Sequence, residues 1–433
     1  MSRTVLRIFD QAMPSRARFL FSAIPVVWIV ALHGILLWLA IGDDARGLVG
    51  DEGGYLVAAR GLLATGELVL DSLWPPLYAW FVAGVLSLGG PSMLTLAVVQ
   101  LLLLGVAAVS LRCVVAGVLG SVAAGNYAAL MMLGYPTLAA FAYYLWPEVL
   151  YLALFLGGCA LLVRWPENLV AAGSAGFLLG AALLCKLVLW PFLPLVMLPL
   201  LVGRGRRSKL AAAIAFVVAV ALTAVAGPAL RPSGGTARVD TNIAFNLLVG
   251  LKDTSRRSFV DPMAGREYRA YLESADDVDE RTRILWNQVG SLVAERASFR
   301  LVRDHLVRQY VRLFDPESFF TAQLPGGALQ DVPAGYHGVS RGLGTFLRAL
   351  TWTTYFALLA FATAGVAARP WRHLGRVESA WITVFGLFFF YNMAIFFLLH
   401  VVSRYRIAML PVFFLFAAAA MTRSTVEPPP SDA

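Results

Sequence analysis

The sequence has few charged residues and almost no lysine. Charged residues make up 14% of its 433 positions, well below the roughly 25% of an average soluble domain. Its lysines are Lys186, Lys209 and Lys252. Hydrophobic residues make up 59%, and the mean hydropathy is +0.72. This composition excludes an ordinary soluble domain and indicates a polytopic membrane protein. The excess of arginine, alanine and valine over lysine indicates a bacterial genome, and we therefore expect a multi-pass protein of the bacterial inner membrane.

Cysteine is equally scarce, and the net charge is less informative than its size suggests. Cys113, Cys159 and Cys185 lie in or beside apolar segments, and an odd set without metal spacing excludes a disulfide framework. We expect them to be small packing residues. The formal charge is +9, but the basic residues form short clusters between apolar runs rather than one basic face. No nucleic-acid partner is therefore predicted.

Apolar runs long enough to cross a bilayer recur along the chain. A membrane helix needs about 20 apolar residues, and the sequence predicts about ten such helices. They fall at residues 19–41, 93–111, 117–141, 147–163, 169–186, 187–203, 210–230, 349–368, 379–400 and 407–421. The predicted fold class is an all-α polytopic membrane protein.

A shorter apolar run at residues 76–90 decides the predicted topology. If it does not cross, the N-terminal arginines and the basic clusters at residues 204–209 and 369–376 lie on one side, as the positive-inside rule requires of cytoplasmic segments. If it crosses, these clusters fall on opposite sides. We therefore predict a re-entrant or interfacial helix at residues 76–90, with both chain termini in the cytoplasm.

This topology predicts the domain organisation. A large outer loop carries balanced charges, and residues 284–314 within it have apolar and arginine residues at helical spacing. That spacing predicts one amphipathic helix, either a solvated anchor or a surface that binds anionic lipid headgroups. The predicted parts are a cytoplasmic segment (1–18), an N-terminal transmembrane module (19–230) with a catalytic first outer loop (42–92), a small, mainly helical extracytoplasmic loop domain (231–341), C-terminal transmembrane helices (342–423) and a disordered cytoplasmic tail (424–433).

The first outer loop contains the stretch "GDEGGYLVAARGLL", which places Asp51 and Glu52 before a short amphipathic helix. Tyr55, Ala58, Ala59 and Leu62 are spaced to lie on one face of that helix, which we expect to lie against the membrane. The N–H groups at a helix N-terminus favour an ionised acid. One of the two carboxylates could therefore act as a general base at neutral pH.

The stretch "LLHVVSRYRIAMLP" joins the last two predicted spans on the outer side. Short outer loops should be poor in arginine, yet Arg404 and Arg406 flank Tyr405 there, after His400. A phosphate bound by forked guanidinium groups would explain them. The alternative is that these side chains reach outer headgroups without a specific ligand.

Lys186 and Glu148 are further ionisable residues at the outer ends of apolar segments. Such residues are functional candidates because burying them unpaired in a bilayer costs about 2.5–3.5 kcal/mol. His33, within the first span, is instead expected to form a helix-packing hydrogen bond. One outer surface thus collects carboxylates and cations. A carboxylate base and a phosphate clamp are what transfer of a sugar from a lipid phosphate needs.

Three stretches resemble the GT-C superfamily of integral-membrane glycosyltransferases, and within it the bacterial proteins similar to protein O-mannosyltransferases and lipid A aminoarabinose transferases. They are "GDEGGYLVAARGLL" with the following "WPPLYAWFVAGVLSLGGPS", "YYLWPEVLYLALFLGGCALLVRW", and "SRYRIAMLPVFFLFAA". Their order covers most of the membrane region. The resemblance implies a polyprenyl-phosphate sugar donor and an inverting displacement on the extracytoplasmic face.

The resemblance also implies residue roles. Asp51 corresponds to the catalytic base and Glu52 to its supporting neighbour, while Arg404 and Arg406 would meet the donor phosphate. The residues predicted to bind substrate are Tyr55, Arg60, Trp74, Tyr78, Glu148, Lys186, His400, Arg404, Tyr405 and Arg406.

Several alternatives stay open at this level. Some family members use a divalent metal and others do not, so no cofactor is certain; Glu148, His337 and His400 are the extra candidate ligands. The acceptor is a glycan, a lipid or a protein, and membrane lipids are expected partners. The sequence lacks a histidine shortly after the Asp-Glu pair and lacks a large β insertion, which counts against a protein acceptor. The rival functions are a transporter or flippase of lipid-linked sugars, a glycan ligase or polymerase, and a structural scaffold.

Overall fold

The computed structural model describes residues 15–41, 47–48, 50–70, 73–90, 92–202, 206–229, 239–252, 262–296, 299–331, 335–368, 374–399 and 403–422. Within these ranges the chain is helical, with turns between the helices and no strand. The predicted cytoplasmic segment, up to residue 14, and the predicted tail at 424–433 lie outside the described residues.

The N-terminal half of the chain forms helices joined by short turns. Two 3-10 segments interrupt the α-helices, at Phe141–Tyr143 and Leu187–Met197. The α-helices are α1 (Ser15–Ile41), α2 (Asp51–Thr65), α3 (Leu77–Gly89), α4 (Met93–Leu119), α5 (Val122–Gly134), α6 (Pro136–Ala140), α7 (Glu148–Arg164), α8 (Leu169–Leu183), α9 (Leu198–Val202) and α10 (Arg206–Ala229).

In the C-terminal half, a group of shorter helices precedes two long apolar ones, and a 3-10 segment, Ser403–Met409, precedes the last helix. The α-helices are α11 (Val239–Lys252), α12 (Pro262–Glu273), α13 (Val278–Arg296), α14 (Phe299–Leu313), α15 (Phe319–Gln323), α16 (Arg341–Ala367), α17 (Arg376–Leu398) and α18 (Leu410–Thr422).

The described helices confirm a polytopic membrane protein. Five of them are long and apolar enough to cross a membrane, and a sixth span is formed if α6 and α7 are taken together across their 112° bend. Shorter apolar helices include α3, α5 and α8. The described residues of the ten predicted apolar runs lie mostly in helices, and the predicted all-α class is confirmed.

Two of the predicted spanning helices differ from the helices in the structure. The turn expected after residue 111 does not occur, because α4 continues to Leu119 and ends at Gly120, whose φ of 63° is open to glycine at little cost. Arg112 therefore lies inside the helix, where its Nε donates to Asn126 Oδ1 at 2.6 Å. Residues 187–203 are not a regular α-helix either. Pro191 and Pro194 lack backbone N–H donors, and the chain there forms a 3-10 segment.

Close packing between α8 and α10 depends on small residues. Gly176 and Gly180 lie four residues apart, on one face of α8. A Cβ at Gly180 would lie 2.7 Å from Thr223 Cβ, and one at Gly176 would overlap the carbonyl oxygen of Phe216. The two helices therefore approach each other through a small-xxx-small motif of the kind that drives helix association in membranes.

Helices α2 and α3 form most of the described part of the predicted first outer loop. The 13 residues of α3 extend about 20 Å, less than the roughly 30 Å of a bilayer core. The predicted face of α2 is buried, with Tyr55, Ala59 and Leu62 exposed by 3%, 0% and 7%. This face packs inside the protein, partly against α3, so the expectation that it lies against the membrane is wrong.

The predicted single helix at residues 284–314 is wrong. It is two helices, α13 and α14, on either side of residues 297–298, which are outside the described ranges. Leu285 on α13 packs in a small core with Leu73 from the first outer loop. Leu313 on α14 instead packs with Phe396 and Met409. The two helices thus have separate packing partners.

Candidate functional site

The site is built around the start of α2. Gly50 precedes the helix with φ 57°, a conformation that side chains other than glycine adopt at a cost. This turn places Asp51 and Glu52 in the first helical turn. The N–H groups there have no partner within the helix, and the helix dipole favours negative charge. The local backbone therefore suits two adjacent carboxylates.

The two carboxylates lie in different environments. Glu52 is fully buried, and its Oε1 accepts a hydrogen bond from the backbone N–H of Leu145 at 2.9 Å. The side chain of Asp51 is 26% exposed. Glu52 thus connects α2 to the bend before α7, while Asp51 is open to a reactant.

Arg404 forms an ion pair with Asp51. Its Nη2 donates to Asp51 Oδ2 at 2.6 Å, with the arginine side chain 19% exposed. The guanidinium carbon lies 4.7 Å from the ring centroid of Trp146 and 5.5 Å from that of Tyr405. Cation–π contacts of this kind hold a guanidinium against an aromatic face. The arginine is therefore oriented by aromatic rings as well as by Asp51.

Glu148 and Lys186 form a second ion pair beside the first. Glu148 begins α7, and its Oε1 accepts from Lys186 Nζ at 3.0 Å, with side-chain exposures of 2% and 13%. Lys186 Nζ also lies 5.9 Å from the ring centroid of Tyr405. Lys186 and Arg404 therefore both contact the ring of Tyr405. This places two cations and the two carboxylates that pair with them in one cluster, which we call the charged cluster (Asp51, Glu148, Lys186 and Arg404).

Aromatic residues of the first outer loop line the same region. The rings of Tyr55 and Tyr78 meet edge to face at 4.9 Å, and those of Tyr55 and Trp74 lie 5.8 Å apart. The Tyr78 hydroxyl donates to Gln100 Oε1 at 2.9 Å. Burial, and then the charge of Asp51, raises the pKa of the Tyr55 phenol well above its usual value. Tyr55 is therefore neutral and can act only as a packing or hydrogen-bonding group.

Gly54 fixes the position of Trp74. A Cβ at Gly54 would overlap the Trp74 ring, whereas one at Gly53 would meet nothing within 4 Å. The other side of Trp74 stacks on Tyr268 of α12 at 5.9 Å. Asn242 of α11 holds the same turn, because its Nδ2 donates to the carbonyl of Leu73 at 2.8 Å. The helices of the large loop therefore pack on the first outer loop next to Asp51.

Two of the predicted residues lie away from the charged cluster. Arg60 is exposed, and nine residues along a helix place it on the opposite side from Asp51. Arg406 is 1% exposed, and its Nη1 donates to the carbonyls of Leu313, at 3.5 Å, and Asp315. Its guanidinium lies 4.5 Å from the Tyr355 ring. Arg406 thus anchors the end of α14 instead of facing the cluster.

The remaining predictions concern His400, His33 and a possible metal ion. His400 lies outside the described residues. His33 forms the packing contacts expected of it, with Nδ1 3.0 Å from the Tyr143 hydroxyl and Nε2 3.1 Å from the carbonyl of Leu133. Among the described residues, no group of three histidines, cysteines or acids is placed to hold a metal ion. Glu148 is engaged by Lys186, and His337 is not grouped with it.

Sequence reasoning missed part of the site. Two residues of the bend between the 3-10 segment Phe141–Tyr143 and α7 belong to the site. Trp146 lies against Arg404, and the backbone N–H of Leu145 donates to Glu52. The hydroxyl of Tyr144 donates to Gln323 Oε1 at 2.8 Å, which ties the bend to α15. The run "YYLWPE" was a signal, because aromatic residues before a proline-initiated helix mark a break in a span.

The sequence matches no protein-family model and no curated protein sequence. Comparison of folds identifies the apo oligosaccharyltransferase of Archaeoglobus fulgidus, with a TM-score of 0.50 and 14% identity over 92% of this chain and 50% of that chain. ArnT from Cupriavidus metallidurans, solved with undecaprenyl phosphate and in the apo state, gives TM-scores of 0.38 at 16% and 17% identity. Those alignments cover 93% of this chain and 78% and 77% of ArnT.

This chain spans about half the length of the archaeal oligosaccharyltransferase. At this identity the likeness concerns the fold, and it extends over nearly all of the present chain. It agrees with the resemblance carried by the three sequence stretches around Asp51, Glu148 and Arg404. The chain therefore has a fold similar to that of the archaeal oligosaccharyltransferase.

Proposed function

We propose that this protein transfers a sugar from a polyprenyl-phosphate-linked donor to an acceptor hydroxyl on the extracytoplasmic face of a bacterial inner membrane, with inversion at the anomeric carbon. The observation that carries the proposal is the charged cluster, in which a partly exposed carboxylate lies 2.6 Å from an arginine, beside a second carboxylate–cation pair. The resemblance to the GT-C glycosyltransferases supports the same reaction class. The sugar is a hexose or a pentose, and the acceptor is a glycan, a lipid or a protein.

Asp51 is the proposed general base. It is the more exposed of the two adjacent acids, since Glu52 is buried and occupied by Leu145. Asp51 takes the proton of the acceptor hydroxyl as that oxygen attacks the anomeric carbon. The bond between that carbon and the phosphate oxygen breaks on the opposite face, and its electron pair stays with the phosphate. The products are the glycosylated acceptor and a polyprenyl phosphate.

Arg404 and Lys186 are the proposed ligands of the donor phosphate. Both contact the ring of Tyr405, so one phosphate group can lie between them. Negative charge grows on that phosphate as it departs, and fixed cations in a poorly hydrated site stabilise such charge. Arg406, predicted to share this role, is bound to backbone carbonyls, and we leave it out of the proposed phosphate site.

The test uses purified full-length protein and a radiolabelled polyprenyl-phosphate sugar. We expect Asp51→Asn to reduce transfer by about 10²–10⁴-fold, the usual contribution of general acid–base catalysis. Glu67→Gln is the matched control, because Glu67 is an exposed acid in the same loop. Its turnover should equal that of the native protein. Native turnover in Asp51→Asn would remove Asp51 from the mechanism, and movement of the lipid-linked sugar across the membrane without transfer would favour a flippase.

A further inference from the structure

We infer that the ion pair between Asp51 and Arg404 is the resting state of the site, and that the donor phosphate frees the base by taking Arg404 from it. This inference rests on the function proposed above. It concerns the regulation of the same site: without a phosphate ester in place, Arg404 holds Oδ2 of Asp51.

The two ion pairs of the charged cluster differ in how readily they exchange. The Glu148 side chain is 2% exposed and that of Lys186 is 13% exposed, whereas the values for Asp51 and Arg404 are 26% and 19%. Breaking a buried pair leaves an uncompensated charge in a poorly hydrated site, which is costly. A partly exposed pair is worth much less. The Asp51–Arg404 pair is therefore the one that an incoming anion can open.

Arg404 can change its anionic partner without moving far. Its guanidinium carbon lies 4.7 Å from the ring centroid of Trp146 and 5.5 Å from that of Tyr405, so aromatic contacts hold it independently of Asp51. Asp51 accepts from the Nη2 group of that guanidinium. A guanidinium presents a fork of N–H donors that suits phosphate oxygens. A phosphate ester can therefore occupy donor positions that Asp51 does not use, and then replace Asp51.

The exchange has a chemical consequence for Asp51. While Arg404 donates to Oδ2, that oxygen is not open to the proton of an acceptor hydroxyl. When Arg404 turns to the phosphate, the oxygen is released next to the bound donor. The acceptor is then deprotonated only when a donor is present, which makes donor binding the first step of an ordered reaction.

Binding of farnesyl phosphate, a short polyprenyl phosphate, to the purified full-length protein tests the inference, with farnesol as the ligand that lacks the phosphate. Asp51→Asn removes the competing charge, so we expect it to bind farnesyl phosphate about two- to five-fold more tightly than the native protein does, the range that a partly exposed ion pair allows. Farnesol binding should not change. In an Arg404→Gln background, the gain from Asp51→Asn should be clearly smaller, because the part that comes from freeing Arg404 is lost.

The possible outcomes separate this inference from the proposed function. Unchanged or weaker farnesyl phosphate binding by Asp51→Asn overturns the exchange, even if that variant has lost sugar transfer and the proposed function stands. An equal gain with and without Arg404 also overturns it, because the effect would then be general electrostatics. If the native protein binds farnesyl phosphate no better than farnesol, the proposed phosphate site itself fails.

Discussion

The carboxylate of Glu52 accepts a hydrogen bond from the backbone N–H of Leu145 across 93 positions of sequence. This bond joins the first turn of α2 to the bend that precedes α7. Asp51, the preceding residue, pairs with Arg404 from the other end of the chain. The adjacent acids are thus held differently, because Glu52 binds a backbone N–H and Asp51 binds a partly exposed arginine side chain.

We expect Glu52→Gln to destabilise the protein, with a smaller effect on the chemical step. The amide oxygen can still accept from Leu145, but the charge-assisted part of the bond is lost, and such bonds are worth about 1.5–3 kcal/mol. Thermal unfolding of the purified protein in detergent should show a lower midpoint. Asp51→Asn should show the reverse pattern, with a near-native midpoint and little turnover. A stable but inactive Glu52→Gln protein would assign Glu52 a direct chemical role.

Much of the charged cluster could be predicted because ionisable residues in apolar sequence are conspicuous. Each residue of the charged cluster interrupts or borders an apolar run. Burying such an ionisable group unpaired costs free energy. The long apolar runs likewise predicted the helices. The charge pairing between residues 51 and 404 could not be predicted, because no local pattern specifies a contact between side chains 353 positions apart.

Other features had no sequence signal, or had a misleading one. The donor to Glu52 is a backbone N–H, which every residue but proline has. Arg404 and Arg406 look equivalent in sequence, and only the carbonyls of Leu313 and Asp315 bind one of them away from the cluster. Residues 284–314 keep helical periodicity throughout, and periodicity alone does not show where a helix breaks into two.

Gly54 and Gly53 offer a matched pair for testing the position of Trp74. Gly→Ala in a helix gains up to about 1 kcal/mol of propensity, so Gly53→Ala, which meets open space, should be neutral or stabilising. Gly54→Ala would overlap the Trp74 ring, and overpacking typically costs about 1–3 kcal/mol. We expect a lower unfolding midpoint and reduced sugar transfer for Gly54→Ala alone. Equal behaviour of the two variants would contradict the close approach of Trp74 to α2.

Arg406 and Arg404 should respond differently to the same substitution by lysine. Arg406 is buried and its guanidinium donates to two backbone carbonyls. Lysine loses the stacking of the guanidinium on the Tyr355 ring, and the charged hydrogen bond to the Asp315 carbonyl, of a kind worth about 1.5–3 kcal/mol, is disturbed. Arg406→Lys should therefore lower the unfolding midpoint markedly while leaving the donor affinity of the folded protein unchanged.

Arg404→Lys, at a partly exposed position, should weaken donor binding with little loss of stability. Unfolding scans and donor titrations on both proteins separate the two roles. A stable Arg406→Lys protein with weakened donor binding would return Arg406 to the phosphate site that its sequence position predicted.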